Sequence, residues 1–108
     1  MDDDAIRDMF AGLGPVTIRP MFGGKGIYHQ GIVFALQVNG EILLKADAQT
    51  VPMFLTSGSR QWIPVGGRGR GPVAMPYWSI PESAIDDPDE MTLWAHRAFE
   101  ASVRSGKK

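Results

Sequence analysis

From Asp3 to Gly12 the apolar residues recur at helical spacing, with Ile6, Met9, Phe10 and Leu13 at i, i+3, i+4 and i+7, which predicts a short amphipathic helix. Asp2, Asp3 and Asp4 crowd its start, where carboxylates meet the positive end of the helix dipole, and Gly14-Pro15 stops it. Val16 to Phe22 reads as an extended lead-in. The spacing then turns strand-like: Gly24 to Gln30 alternates around Ile27 and Tyr28. Gly31 to Val38 carries Ile32, Phe34, Leu36 and Val38 at period two, and Glu41 to Ala46 follows. Short turns divide these pieces, and Asn39-Gly40 between apolar runs is a strong hairpin signal, because both central positions of a type I′ turn need positive φ. A three-stranded antiparallel meander is expected.

After the meander, Asp47 or Thr50 can cap a brief helix bearing Val51, Phe54 and Leu55, with Pro52 near its first turn and Gly58 at the left-handed C′ position. Gln61 to Val65 and Val73 to Ile80 are strand candidates on their aromatic and branched content, joined by Gly66-Gly67-Arg68-Gly69-Arg70-Gly71. Pro64, Pro72 and Pro76 cannot donate ladder bonds, so one of these strands should be an edge or bulged. The last helix is expected from Pro88 to about Val103. Asp87 is placed as N-cap, Pro88 at N1 and Glu90 at N3, and Met91, Trp94, Ala95, Ala98, Phe99 and Ser102 form one stripe. The order helix, three strands, helix, two strands, helix predicts a single α+β domain over residues 1–108, a two-layer sandwich with about five antiparallel strands.

Composition narrows the function classes. The chain has 108 residues, 44% of them hydrophobic, which is enough for one core without covalent staples. Twelve acids against 11 bases leave a net charge of −1, so there is no global attraction to nucleic acid or anionic membrane. With no cysteine, disulfides, thiolate nucleophiles and zinc ribbons are excluded. The acidic start MDDDAIRD does not suit a signal peptide and no apolar run reaches membrane-spanning length, so a cytoplasmic protein without membrane contact is expected.

Candidate chemistry is sparse. Gly23, Gly24 and Gly26 could form a phosphate nest, but no G-x-G-x-x-G or P-loop spacing accompanies them, and turn or bulge roles fit a meander better. Arg19, beside Met21 and Phe22, could hold a carboxylate of a ligand or partner, or pair with Asp3, Asp4 or Asp47. Arg68 and Arg70, flanked by Trp62 and Trp78, suit either an anion contact or a solvated hairpin loop. His29 and His96 have no spaced partners for a metal, and any Ser/His/Asp set drawn from Ser57, Ser59 and these histidines is unremarkable for a chain this size. Neither an enzyme nor a cofactor is expected.

The residues also carry a family likeness. Leu13-Gly14-Pro15-Val16, Arg19-Pro20-Met21-Phe22-Gly23-Gly24, Gly26-Ile27-Tyr28, Gly31 and Phe34-Ala35-Leu36 resemble the N-terminal domain of the TfoX (Sxy) competence regulators. Leu44-Lys45-Ala46-Asp47, Gly58-Ser59-Arg60, Pro72-Val73-Ala74-Met75-Pro76-Tyr77, Ile80-Pro81, Asp86-Asp87, Trp94-Ala95 and Ala98 extend the likeness almost to the end. The resemblance implies an α/β two-layer fold like that of secretion chaperones. It also implies a stand-alone version of a domain that, in full-length regulators, precedes a second one and promotes expression of DNA-uptake genes together with the catabolite activator protein.

Two functions from different classes follow. One is a regulatory protein-interaction module working through an exposed apolar patch or sheet edge, with an unidentified protein partner such as transcription machinery. The other is a small-molecule or anion-binding domain using Arg19, Arg68 and Arg70. The residues expected at the contact are Arg19, Met21, Phe22, Gly23, Gly24, Arg68, Arg70, Tyr77 and Trp78. A homodimer is expected from an open strand edge, and direct DNA binding should be weak.

Overall fold

The computed structural model describes residues 1–21, 23–64 and 71–106. Among these the order is α1 (Asp3–Met9), β1 (Thr17–Met21), β2 (Gly24–His29), β3 (Ile32–Val38), β4 (Glu41–Lys45), α2 (Val51–Thr56), β5 (Tyr77–Ser79), α3 (Glu82–Ile85) and α4 (Pro88–Gly106). The five strands make one sheet in the order β1-β2-β3-β4-β5, antiparallel throughout. The fold is α+β, and the meander is present with the expected turns: Asn39 and Gly40 both have positive φ, at 51° and 79°. Gln30 and Gly31 repeat the device at the β2–β3 turn.

Several elements differ from expectation. The lead-in Thr17–Met21 is itself the first strand, pairing along its whole length with β2. Of the two later strand candidates only Tyr77–Ser79 is a strand, while Gln61 contributes an isolated bridge to Trp78. Pro64, Pro72 and Pro76 account for this, since each removes a donor that a ladder would need. Val65 and most of the glycine-arginine loop lie outside the described residues. Helix α1 ends at Met9, and Ala11 and Leu13 close the following turns onto Asp8 and Phe10. Helix α4 continues to Gly106, and the short α3 was not anticipated.

The largest departure lies inside β3. Ile27 pairs with Ala35 but Tyr28 pairs with Val33, so Phe34 is an extra residue bulged out of the ladder. The bulge resets the alternation: Phe34 and Ala35 both enter the core under the helices, while Val33, Leu36 and Val38 fall on the opposite face. Ile32, Phe34, Leu36 and Val38 therefore do not share a face, contrary to the period-two reading.

One face of the sheet is covered by all four helices. Ile6 of α1 and Phe10 at its C-cap, Phe54 of α2, Ala84 of α3, and Met91, Trp94, Ala95 and Ala98 of α4 join Ile27, Phe34, Ala35, Ile42, Leu44 and Trp78 from the strands. Phe10 meets Phe34 edge-on at 5.0 Å, and Phe54 lies between Trp78 at 6.0 Å and Trp94 at 4.7 Å. Phe99, expected in the core stripe, is only partly buried and rests its edge near His29, with ring centroids 4.9 Å apart. Leu55 is 61% exposed, because α2 is short enough to turn only Phe54 fully inward. Among the described residues, no helix is long and apolar enough to cross a membrane.

Candidate functional site

The sheet face turned away from the helices carries its own smaller cluster of Leu36, Leu43 and Tyr77, bordered by Met21, Val33, Val38, Trp62 and Met75. The register explains which side chains meet there. Gly26 stands opposite Leu36, Leu36 opposite Leu43 and Leu43 opposite Ser79, so one row crosses the sheet on the open side, with the Lys45–Tyr77 pair next to it. Gly26 is a low point in that row: a Cβ there would lie 2.9 Å from the Met21 Cε and 3.0 Å from the Tyr28 Cε1. The glycine is what lets the Met21 thioether and the Tyr28 ring close over the strand.

Trp62 and Met75 reach this face on a narrow arm. The Trp62 N–H donates to the Tyr77 carbonyl at 2.9 Å and the Ser79 N–H to the Arg60 carbonyl at 2.9 Å, so the arm begins alongside β5. It then doubles back, with the Met75 N–H donating to the Trp62 carbonyl at 3.0 Å and the Val73 N–H to the Pro64 carbonyl at 2.9 Å. The prolines that deny this segment a regular strand leave it as a separate flap across the sheet.

Between the arm and β1–β3 lies a cleft of about 340 Å³ walled by Met21, Leu36, Val38, Trp62, Met75 and Tyr77. Lys25 and Gln37 also border it, but their polar heads are engaged toward the N-terminus: the Lys25 Nζ is 2.6 Å from the Asp3 carboxylate, and the Gln37 amide donates to the Met1 carbonyl at 3.2 Å. Apolar and aromatic surface is therefore what the cleft offers. Burial pushes the Tyr77 phenol above its ordinary pKa, and neighbouring Tyr28 adds to the effect, so at neutral pH the hydroxyl keeps its proton and can donate a hydrogen bond. A wider, shallower depression of about 520 Å³ lies between α2 and α4, with Arg97 stacked on Trp94 at 4.7 Å.

Of the expected contact residues, Met21 and Tyr77 are brought together in the cleft. Gly23 and Gly24 sit at the β1–β2 turn and act structurally: a Cβ on Gly24 would meet the Gln37 carbonyl oxygen at 2.1 Å, so only glycine permits β2 to approach β3 there. Trp78 points the other way, into the helix-side core against Phe54, and its buried indole N–H has no partner among the described residues. Its alternation with Tyr77 along β5 decides this. Phe22, Arg68 and Arg70 lie outside the described residues.

Arg19 does not pair with Asp3, Asp4 or Asp47. Those acids are held by Lys25, Arg7 and Arg104 respectively, and the Arg19 guanidinium lies over the Tyr28 ring at 5.6 Å. Lys45 repeats this on β4, 5.2 Å above the Tyr77 ring. His29 is buried, with its Nδ1 2.7 Å from the Pro15 carbonyl, which ties the β1 entry to the end of β2. Among the described residues no group of His, Asp or Glu is arranged to hold a metal ion. Sequence reasoning missed Leu36, Val38 and Met75 as site residues because only the bulge and the arm place them together.

The molecule is thus an α+β domain with helices on one face of a meander and an apolar cleft on the other. It belongs to the TfoX N-terminal domain family, whose profile matches residues 8–102. No curated protein matches the chain.

Proposed function

We propose that this domain is a regulatory protein-interaction module that seats an apolar side chain of a protein partner in the cleft between Met21 and the Trp62–Met75 arm. The observation that carries the reading is the cleft itself: about 340 Å³ of aromatic and thioether-lined space on the sheet face turned away from the helices. Methionine and aromatic walls suit a protein side chain, because flexible thioethers repack around differing shapes and Trp and Tyr anchor interfaces. Family membership supports a regulatory setting, here expression control through a cytoplasmic partner, with no catalytic step assigned to the domain.

The anion-binding alternative draws no support from the described geometry: no arginine among the described residues lines the cleft, Arg19 is stacked on Tyr28, and Arg68 and Arg70 lie outside the described residues. A homodimer through a sheet edge would have to use β1, whose Pro20 removes one donor, because Arg60 and Trp62 already cover β5. Light scattering at micromolar concentration tests that arrangement, and a single monomeric mass removes it.

The interaction reading is tested by comparing what the wild-type domain and a Val38→Glu variant retain from lysate of cells that encode it. A protein retained by the wild type and lost by the variant, with the variant's melting temperature preserved, supports the cleft. Identical retention by both overturns it.

A further inference from the structure

The charges on the open face specify the partner further, and the argument rests on the interaction reading just given. On the open face Arg19 of β1 stands opposite Gly26 at the edge of the Leu36–Leu43 row, and Lys45 of β4 stands next to that row, opposite Tyr77; each lies above an aromatic ring, at 5.6 Å from the Tyr28 centroid and 5.2 Å from that of Tyr77. Neither forms a salt bridge among the described residues, where the ion pairs are Arg7–Asp4, Lys25–Asp3, Arg60–Glu41 and Arg104–Asp47. The acid on this face, Glu41, is neutralised by Arg60 at 2.7 Å. The remaining acids of the second half, Glu82, Asp86, Asp87, Asp89, Glu90 and Glu100, belong to α3, α4 and their junction on the helical side. The open face therefore holds an apolar cleft with Tyr77, only 7% exposed, on one wall, and beside it two cations outside any ion pair among the described residues, one over Tyr28 and one over Tyr77.

We infer that the partner presents an extended acidic segment carrying a large apolar residue. The apolar side chain enters between Met21, Val38, Trp62 and Met75, a carbonyl of the segment accepts from the Tyr77 hydroxyl, and flanking carboxylates meet Arg19 and Lys45. Charge complementarity selects this occupant over a basic or uncharged one: a basic segment would set like charges beside both cations, and a purely apolar one would leave them without counter-charge. Both charged heads rest over aromatic faces on this side of the sheet and outside any ion pair among the described residues, which leaves their charge open to a ligand on this face.

The test uses fluorescence anisotropy of a labelled peptide in which phenylalanine and leucine alternate with glutamate. One control has lysine in place of every glutamate, and another has serine in place of every apolar residue. The glutamate peptide should bind most tightly, weaken as salt is added, and be displaced by neither control. Arg19→Gln and Lys45→Gln should each loosen it by up to about fivefold, the range for exposed ion pairs. Arg19→Glu combined with Lys45→Glu, both at the surface of the sheet, should turn the preference toward the lysine peptide. Val38→Trp should abolish binding of both apolar peptides by filling the cleft.

Equal binding of the glutamate and lysine peptides, lost in Val38→Trp, overturns the acidic assignment while leaving the cleft as an interaction site. Binding that survives Val38→Trp overturns the placement on this face. A dimer by light scattering that Val38→Trp converts to monomer identifies a second copy as the occupant and also overturns the proposal.

Discussion

The Asp47 carboxylate, just after β4, accepts a hydrogen bond from the Arg104 Nη2 of α4 at 3.1 Å while also accepting the backbone N–H groups of Gln49 at 3.0 Å and Thr50 at 3.2 Å. One side chain thus starts α2 and ties the last helix to the sheet. Of the two capping candidates Thr50 occupies the N-cap position but makes no side-chain cap bond, its hydroxyl instead accepting from the Asp47 N–H at 3.0 Å, while the Asp47 carboxylate holds the turn that leads into the helix. Asp47→Ala should cost about 1–3 kcal/mol, combining a lost helix-start acceptor with a lost ion pair, as read by urea denaturation at neutral pH.

The same contact predicts an acid limb. The Arg104 guanidinium holds the Asp47 carboxyl below its ordinary 3.8, and Lys25 does likewise for Asp3. A carboxyl with a depressed folded pKa contributes stability that is complete above the unfolded value and lost as pH falls through the folded value. The melting temperature should therefore be flat near neutrality and fall below about pH 4, and Asp47→Asn should flatten part of that fall. Identical pH profiles for wild type and variant would remove Asp47 as a contributor.

Two glycines of the β1–β2 hairpin should respond differently to alanine. On Gly24 the new Cβ meets a backbone oxygen at 2.1 Å, which can move only by prying β2 from β3, whereas on Gly26 it meets the Met21 and Tyr28 side chains. Overpacking of this kind costs about 1–3 kcal/mol, and Gly24→Ala should lie at or above the top of that range with Gly26→Ala near the bottom. Gly26→Ala should still perturb Met21 and so weaken binding in the cleft.

In α2, Phe54→Ala should cost about 3–5 kcal/mol, because the ring is wholly enclosed by Trp78 and Trp94, while Leu55→Ala should fall within about 0.5 kcal/mol of wild type. Trp94→Ala should resemble Phe54→Ala, and the partly buried Phe99 should cost less. Calorimetric or denaturant midpoints for the set check the order.

Gly40→Val should destabilise by more than about 1–2 kcal/mol, since φ of 79° forces a β-branched residue into the left-handed region. An unchanged midpoint would mean that the hairpin relaxes to another turn.

Direct DNA recognition should be absent from the isolated domain. An electrophoretic shift at physiological salt is expected to show no preference between a specific and a scrambled duplex, with any weak binding lost as salt rises. Submicromolar, sequence-selective binding would displace the interaction-module reading.

Local rules written in the chain were sufficient for the hairpin turns and the last helix. Positive φ at Asn39-Gly40 and the capping of α4 by Asp87, whose carboxylate accepts from Asp89 N–H at 3.0 Å, depend on neighbours within a few residues. The α+β class followed from the same short-range patterns, while the total of five strands agrees only because Thr17–Met21 is a strand and the Gln61 segment is not. The site was not legible in this way. Which face Leu36 and Val38 occupy turns on a bulge at Phe34, and a bulge is decided when the large ring is drawn into the helix-side core against Phe10. The separation of Tyr77 into the cleft and Trp78 into the core follows from the register of β5 on β4, a pairing across more than thirty residues of chain. The arm that brings Trp62 and Met75 over the sheet exists because prolines prevent a ladder, but its direction is set by the surface it covers. Periodicity says which residues alternate, and only the packed sheet decides where the alternation resets and what then lies opposite.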